Sequence, residues 1–393
     1  MKICVIAPYF PYKQHIQGME IEEGYNVGGV ERHILHFSKQ LVLLNHEITI
    51  ISTRSPNHET LSEIEGLHIV RIPMGLRLFN SNIPINLLKK LNPRDYDVIH
   101  AHTPNPAIAD MAVLRIFFTK IPFVLTYHND ITKDGVLGRM LTKMYHTTFG
   151  RLLFSHSKVI IATTESYAKK SPQLQNYLQK VIIIPNGVDC NDFKPVQNIQ
   201  EIRKNYGLSP DKKIILFVGR LDSYKGCEYL LNSYDLVRKE IDGTQLIFIG
   251  KGPLENSLKK ISEERGISGS VSFLGYVDDK DLPSYYALSD VFVLPSISSL
   301  EGFGMVQLEA MAAGKPVVTT TIPGVSEVDP DGLATIHVPP KDIQALSAAI
   351  IKILQNENLR ITMGNNGRKL AIEKYSWENL AKSLERVYIN VKG

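Results

Sequence analysis

The chain has 393 residues, 44% hydrophobic and 21% charged, with a formal net charge of +4. That length is too great for one comfortable core, at roughly 150 residues per domain, and the composition excludes a disordered or fibrous chain. The charge is too small to argue for a nucleic-acid partner, and Cys4, Cys190 and Cys227, widely spaced and outside any CxxC pair, exclude a disulfide framework or a zinc finger.

Residues 1–7 run straight into an apolar strand rather than a signal peptide, and no later run approaches the roughly 20 apolar residues that span a bilayer. A cytoplasmic protein is expected. Further β-rich runs follow at 47–52, 68–72, 98–102, 123–127 and 159–163, separated by amphipathic stretches such as 31–44. This alternation predicts a parallel sheet covered by helices on both faces. Gly28-Gly29-Val30-Glu31 opens the first long helix, where two glycines expose backbone N–H groups suited to a phosphate. Neither GxGxxG nor GxxxxGK[ST] follows the first strand, which argues against a dehydrogenase and a P-loop enzyme.

His128 lies just beyond the strand at 123–127, where it can serve a sugar hydroxyl or positive charge at a reacting carbon. Asp130 and Lys133 follow as acceptor contacts. His100 and His102 end the strand at 98–102 and are assigned to packing or to the cleft lining; their spacing fits a metal poorly, and none is expected. Residues 135–164 carry Arg139, Lys143, Arg151 and Lys158, with no acidic residue before Lys158 and with apolar residues between, a pattern that suits an anionic membrane surface. Residues 76–91, with Arg77, Lys89 and Lys90, form a second amphipathic candidate.

A turn-rich breaker, Pro185-Asn186-Gly187-Val188-Asp189, interrupts the series, which restarts at 213–218, 245–250, 271–274, 291–295, 316–320 and 334–338 with helices such as 226–241 between. The fold class is therefore α/β: two Rossmann-like doubly wound domains, 1–190 and 191–375, with a lone helix at 376–393 crossing back to the first. Val218-Gly219-Arg220-Leu221-Asp222 ends the restarted series' first strand, and Lys225 follows in the same loop. A bidentate guanidinium and a point-charge ammonium there suit a diphosphate. Glu301-Gly302-Phe303-Gly304-Met305 precedes Glu309, placing one carboxylate past the end of the strand at 291–295 and another about two turns into the next helix. Two fixed acceptors beside glycine-bracketed N–H groups point to a nucleotide sugar.

Taken in order, G-G-V-E at Gly28, D-V-I-H-A-H at Asp97, T-Y-H-N-D at Thr126, P-N-G-V-D at Pro185, V-G-R-L-D-S-Y-K-G at Val218, G-K-G-P-L at Gly250, F-L-G-Y-V at Phe273 and the segment from Glu301 resemble the retaining glycosyltransferases of family 4. The resemblance covers nearly the whole chain. It implies the GT-B fold, with two domains facing a cleft and hinges near Asn186 and Tyr375. It also implies that Glu301 holds the donor sugar and Glu309 the ribose, while Arg220, Lys225 and Gly29 bind the diphosphate. The backbone from Gly302 to Met305 would contact sugar and phosphate, the loop Gly275, Tyr276 and Val277 would flank the base, and His128 would sit near the reacting carbon. Metal-independent transfer with retention, from a UDP- or GDP-sugar to a saccharide or lipid-linked acceptor, is what the resemblance implies, with no cofactor. The loop 9–27, carrying Glu20, Glu22 and Glu23, is long for the family. A phosphorylase or epimerase of the same fold, and an idle nucleotide-sugar-binding scaffold, remain alternative readings.

Overall fold

The computed structural model describes all residues except 13–28, 55–59, 79–80, 104–105, 129, 131–134, 197–202 and 205–211. The described chain forms two compact units, Met1–Pro185 with Trp377–Gly393, and Asn186–Ser376. The break thus falls at Pro185 instead of residue 190, because the turn beyond it belongs to the second unit. Val188 is buried there, donates its N–H to the Tyr375 carbonyl at 2.9 Å and pairs with Ser376.

In the first unit the strands are β1 (Lys2–Ala7), β2 (Glu47–Arg54), β3 (Leu61–Ile64), β4 (Leu67–Pro73), β5 (Leu76–Leu78), β6 (Ser81–Ile83), β7 (Val98–His102), β8 (Phe123–Thr126), β9 (Val159–Ala162) and β10 (Val181–Ile183). The main sheet runs β10-β9-β8-β7-β1-β2-β4-β3, and every pairing is parallel except β3 with β4. β1, β7 and β8 are buried along nearly their whole length, as strands covered on both faces must be. On one face the helix Gly29–Leu43 buries Ile34, Leu35, Phe37 and Leu41, and Trp377, Leu380, Leu384, Tyr388 and Val391 of the helix Trp377–Lys392 join the same cluster. The other face is closed by the helix Pro106–Ile116 and by Leu153 and Phe154 of Arg151–His156. The strand order reverses between β1 and β7, so His102 and the segment after β8 emerge at the carboxyl end of the reversal point.

The second unit holds β11 (Lys213–Val218), β12 (Thr244–Ile249), β13 (Val271–Phe273), β14 (Val291–Leu294), β15 (Val317–Thr320) and β16 (Thr335–Val338), ordered β13-β12-β11-β14-β15-β16 and all parallel. Its reversal point lies between β11 and β14, and the loops after those two strands carry Arg220, Lys225 and Glu301. One expectation is corrected. The described residues of 76–91 form the antiparallel ribbon β5–β6 and a short helix, Leu87–Lys90, whose Leu87 is buried, so among them no long amphipathic helix lies there.

Candidate functional site

In the second unit, chain geometry forces the loops after β11 and β14 together. Gly226 has φ +73°, and a Cβ there would lie 2.0 Å from the Pro295 carbonyl oxygen; the close approach therefore requires glycine. The contact aligns Lys225 with the loop beyond Pro295. The Lys225 ammonium donates to Glu301 Oε2, and the buried Ser296 hydroxyl donates to the same oxygen at 3.1 Å. Both charged side chains are about nine-tenths buried, at 11% and 10% exposure, so the ion pair acts in a low dielectric and fixes the carboxylate's direction. Arg220 behaves differently. Its side chain is 67% exposed, and its Nε donates to Asp222 Oδ2 at 3.3 Å, leaving most of the guanidinium toward solvent.

The helix Met305–Ala312 begins at Gly304, whose φ of +73° makes it a left-handed cap. A Cβ there would meet Leu294 Cδ2 at 2.6 Å. Phe303 turns inward to the core, while Gly302 is exposed. Glu309 is the fifth residue of this helix, one turn in rather than two, and its Oε2 accepts a 2.6 Å hydrogen bond from the Tyr286 hydroxyl. Burial, then the Glu309 carboxylate, raises the Tyr286 phenol well above its ordinary range, so it remains a donor. After β13, Gly275 accepts from the Gly250 N–H at 2.7 Å, Tyr276 is exposed and Val277 packs against the core. Gly219 directly follows β11, its N–H donating to the Ile249 carbonyl at 2.9 Å.

In the first unit His128 belongs to a cluster. Its Nε2 lies 3.2 Å from His102 Nδ1, and the His33 ring meets the His128 ring edge to face, centroids 4.9 Å apart. His33 comes from the helix Gly29–Leu43, and Trp377 closes over it at 5.5 Å. No metal is expected from the sequence; in the fold, one ring nitrogen from each of His33, His102 and His128 lies within 4.8 Å of the other two. Burial, reinforced by His100, holds His128 down to about 3, and burial followed by the neighbouring histidines holds His102 well below its ordinary value. These rings are neutral. His100 spends both nitrogens, on the Tyr388 hydroxyl and the Thr126 hydroxyl, each at 2.7 Å. Gly29 opens its helix in an exposed position, and Gly28 lies outside the described residues. Asp130 accepts from the hydroxyls of Ser171 and Tyr167, an anchoring role; Lys133 and the loop acids Glu20, Glu22 and Glu23 lie outside the described residues.

The basic stretch forms the helix Gly135–Tyr145, a π-helical turn His146–Gly150 and the helix Arg151–His156. Leu137, Met140 and Met144, spaced three and four apart on one helix face, are 68%, 66% and 60% exposed, and Arg139 and Lys143 are exposed beside them. Arg139, Lys143, His146, Arg151, Gln173 and Tyr177 line one groove. No helix of the described residues is long and apolar enough to cross a membrane.

Ser296, Tyr286 and His33 were not singled out from the sequence. Ser296 carries the clearest signal, a polar residue directly after a buried strand; Tyr286 and His33 become visible only through partners far along the chain.

Comparison with known proteins accords with this geometry. The model of glycosyl transferases group 1 matches residues 198–370, and that of Glycosyltransferase Family 4 matches residues 27–192. A phosphatidyl-myo-inositol mannosyltransferase of Mycobacterium tuberculosis is 31% identical over 385 residues, covering 93% of this chain and 94% of that protein. An O-antigen chain mannosyltransferase C of Escherichia coli is 29% identical over 368 residues, covering 92% of this chain and 94% of that protein. Among solved structures, Alr3699/HepE of Anabaena in complex with UDP superimposes with a TM-score of 0.77 over 99% of this chain and all of that one, at 19% identity. With two parallel-sheet α/β units and a full-length relative at this identity, the chain belongs to glycosyltransferase family 4 and is a glycosyltransferase of the GT-B fold.

Proposed function

We propose that this enzyme moves a hexose from a nucleoside diphosphate sugar to a hydroxyl of a saccharide or lipid-linked acceptor, with retention and without a metal ion. The observation that carries the reading is the Lys225–Glu301–Ser296 constellation at the reversal point of the second sheet. Glu301 is an oriented acceptor for sugar hydroxyls. Lys225 and the solvent-facing Arg220 neutralise the charge that grows on the departing diphosphate, the electrostatic work a metal ion does elsewhere. Glu309, steadied by Tyr286, is the acceptor for ribose hydroxyls, and the loop from Gly275 to Val277 flanks the base. Because relatives are named as mannosyltransferases, the sugar proposed is manno-configured.

The acceptor side rests on the first unit. An apolar stripe of Leu137, Met140 and Met144 flanked by Arg139 and Lys143 is the composition of a helix that lies on an anionic membrane. His128 is the group assigned to the reacting carbon in this reading, and its ring, which burial keeps neutral, serves as a hydrogen-bonding group instead of a second cation.

The test is a metal-free thermal-shift and turnover panel of UDP, GDP and ADP hexoses with lipid-linked and free saccharide acceptors. Stabilisation by one nucleotide family, with turnover lost in Arg220→Ala and Glu309→Ala, is the expected result. Silence of every nucleotide, or full turnover in both variants, overturns it. Product release from a disaccharide and inorganic phosphate alone would favour the phosphorylase alternative. Sedimentation with anionic vesicles should weaken on reversing the charges of Arg139, Lys143 and Arg151; unchanged sedimentation removes the membrane role.

A further inference from the structure

We propose that the groove between the helical segment 139–155 and the stretch 172–177 binds a phosphate monoester, carried by a small soluble molecule or by a lipid headgroup. Its volume of about 810 Å³ falls in the range of small-molecule sites, so a phosphate there has room for the group that bears it. One wall comes from the helix Gly135–Tyr145, the turn His146–Gly150 and the helix Arg151–His156; the other follows the helix Glu165–Lys170. Two contacts join the walls. The Gln173 amide nitrogen donates to His146 Nε2 at 3.1 Å, and the rings of Phe154 and Tyr177 meet with centroids 5.2 Å apart.

Charge narrows the ligand. Arg139, Lys143 and Arg151 line the groove, and no acidic residue does. None of the three has an ion-pair partner among the described residues, whereas Arg203, Lys225 and Arg238 each face a carboxylate. Three unneutralised cations on one concavity suit a ligand with more than one negative charge, and a phosphate monoester carries nearly two at neutral pH. Two guanidiniums can grip its oxygens bidentately, with Lys143 as a point charge. A second observation points the same way. Thr142 lines the groove, and its Oγ1 is buried with no hydrogen-bond partner among the described residues. Buried hydroxyls are nearly always paired, so an orphan in the wall of a cationic groove is a donor held ready for a ligand oxygen. Leu137, Met140 and Met144 do not line the groove, nor does any residue assigned to the donor, nor His128. The site shares its cations with the membrane reading but not the apolar stripe, and it stands independently of the donor reading.

Full-length protein is dialysed to equilibrium against radiolabelled glycerol phosphate. Retention of one molecule per chain is the expected result, weakened about tenfold or more by Arg139→Gln or Arg151→Gln, reduced by Thr142→Val and unaltered by Arg220→Gln. Displacement of the label by vesicles of phosphatidylcholine with phosphatidic acid, and not by phosphatidylcholine alone, identifies a headgroup as the source; label that stays bound to both identifies a soluble ester. No retention, or retention unaltered by Arg139→Gln, Arg151→Gln and Thr142→Val, overturns the site. Gln173→Leu, which removes no charge, separates the groove from the membrane role. It should weaken retention and leave sedimentation with phosphatidylglycerol vesicles, whose phosphate is a diester, as in wild type; the reverse pattern assigns the cations to the membrane alone and overturns the site.

Discussion

Removing the Lys225 ammonium leaves the Glu301 carboxylate at about a tenth of its free exposure, with the Ser296 hydroxyl as its remaining donor among the described residues. A buried charge stripped of its partner costs about 3–5 kcal/mol. Lys225→Ala should therefore lower the denaturation midpoint of the second unit as well as turnover, and adding Glu301→Ala should restore much of the stability but none of the turnover. Additive losses of stability in the double variant would show that the two groups do not interact. Tyr286→Phe makes a subtler change. It takes one hydrogen bond from Glu309, worth about 1.5 kcal/mol for a charged acceptor, and leaves a buried ring of the same shape. The expected outcome is a donor KM raised about tenfold with kcat little altered; an unchanged KM would remove Glu309 from ground-state donor binding.

Among the elements, the Gly135–Tyr145 helix is tied to the body of its unit through its last residue. The Tyr145 hydroxyl donates to Asp110 Oδ1 at 3.1 Å, joining this helix to Pro106–Ile116. Burial, only partly opposed by that hydrogen bond, raises the Asp110 carboxyl from 3.8 to about 7. Between those values the folded protein keeps a proton that the unfolded chain releases, so the contribution to stability is complete below about pH 4 and is lost as pH rises through 7. Asp110→Asn should flatten the decline in melting temperature across that window. An identical slope in wild type and variant would show that Asp110 does not hold the proton.

Across the whole molecule, the doubled architecture was legible because parallel strands buried on both faces read as unbroken apolar runs. β1, β7, β11 and β14 are each visible in this way. β3 and β10 were not, being short edge strands of four and three residues with partly exposed side chains. The placement of Arg220, Lys225 and Glu301 on the loops after β11 and β14, and of Glu309 on the helix that follows, was legible because each sits in a local motif of glycines and strand ends. Their partners were less so. Tyr286 meets Glu309 across 23 positions, and the ring pair His102–His128 spans 26, separations that only the sheet order closes. The boundary at Pro185 was missed by five residues for a similar reason, since the pairing of Val188 with Tyr375 and Ser376 is a contact between distant segments.

The helix Trp377–Lys392 supplies Trp377, Leu380, Ala381, Leu384, Tyr388 and Val391 to the first unit's core, and Lys158 Nζ donates to its Val391 carbonyl at 3.0 Å. A ribosome therefore delivers the second unit, one continuous stretch from Asn186 to Ser376, before the first unit's last structural part exists. The order of completion is the reverse of the order of synthesis, and residues 1–185 must wait for the final residues of the chain before their apolar face is covered. Ending translation at Ser376 should yield a protein whose second unit resists pulse proteolysis while the first is cleaved, and adding the missing helix as a separate peptide should restore protection to the first unit alone. Equal resistance of both units in the shortened chain would show that the first core closes without it.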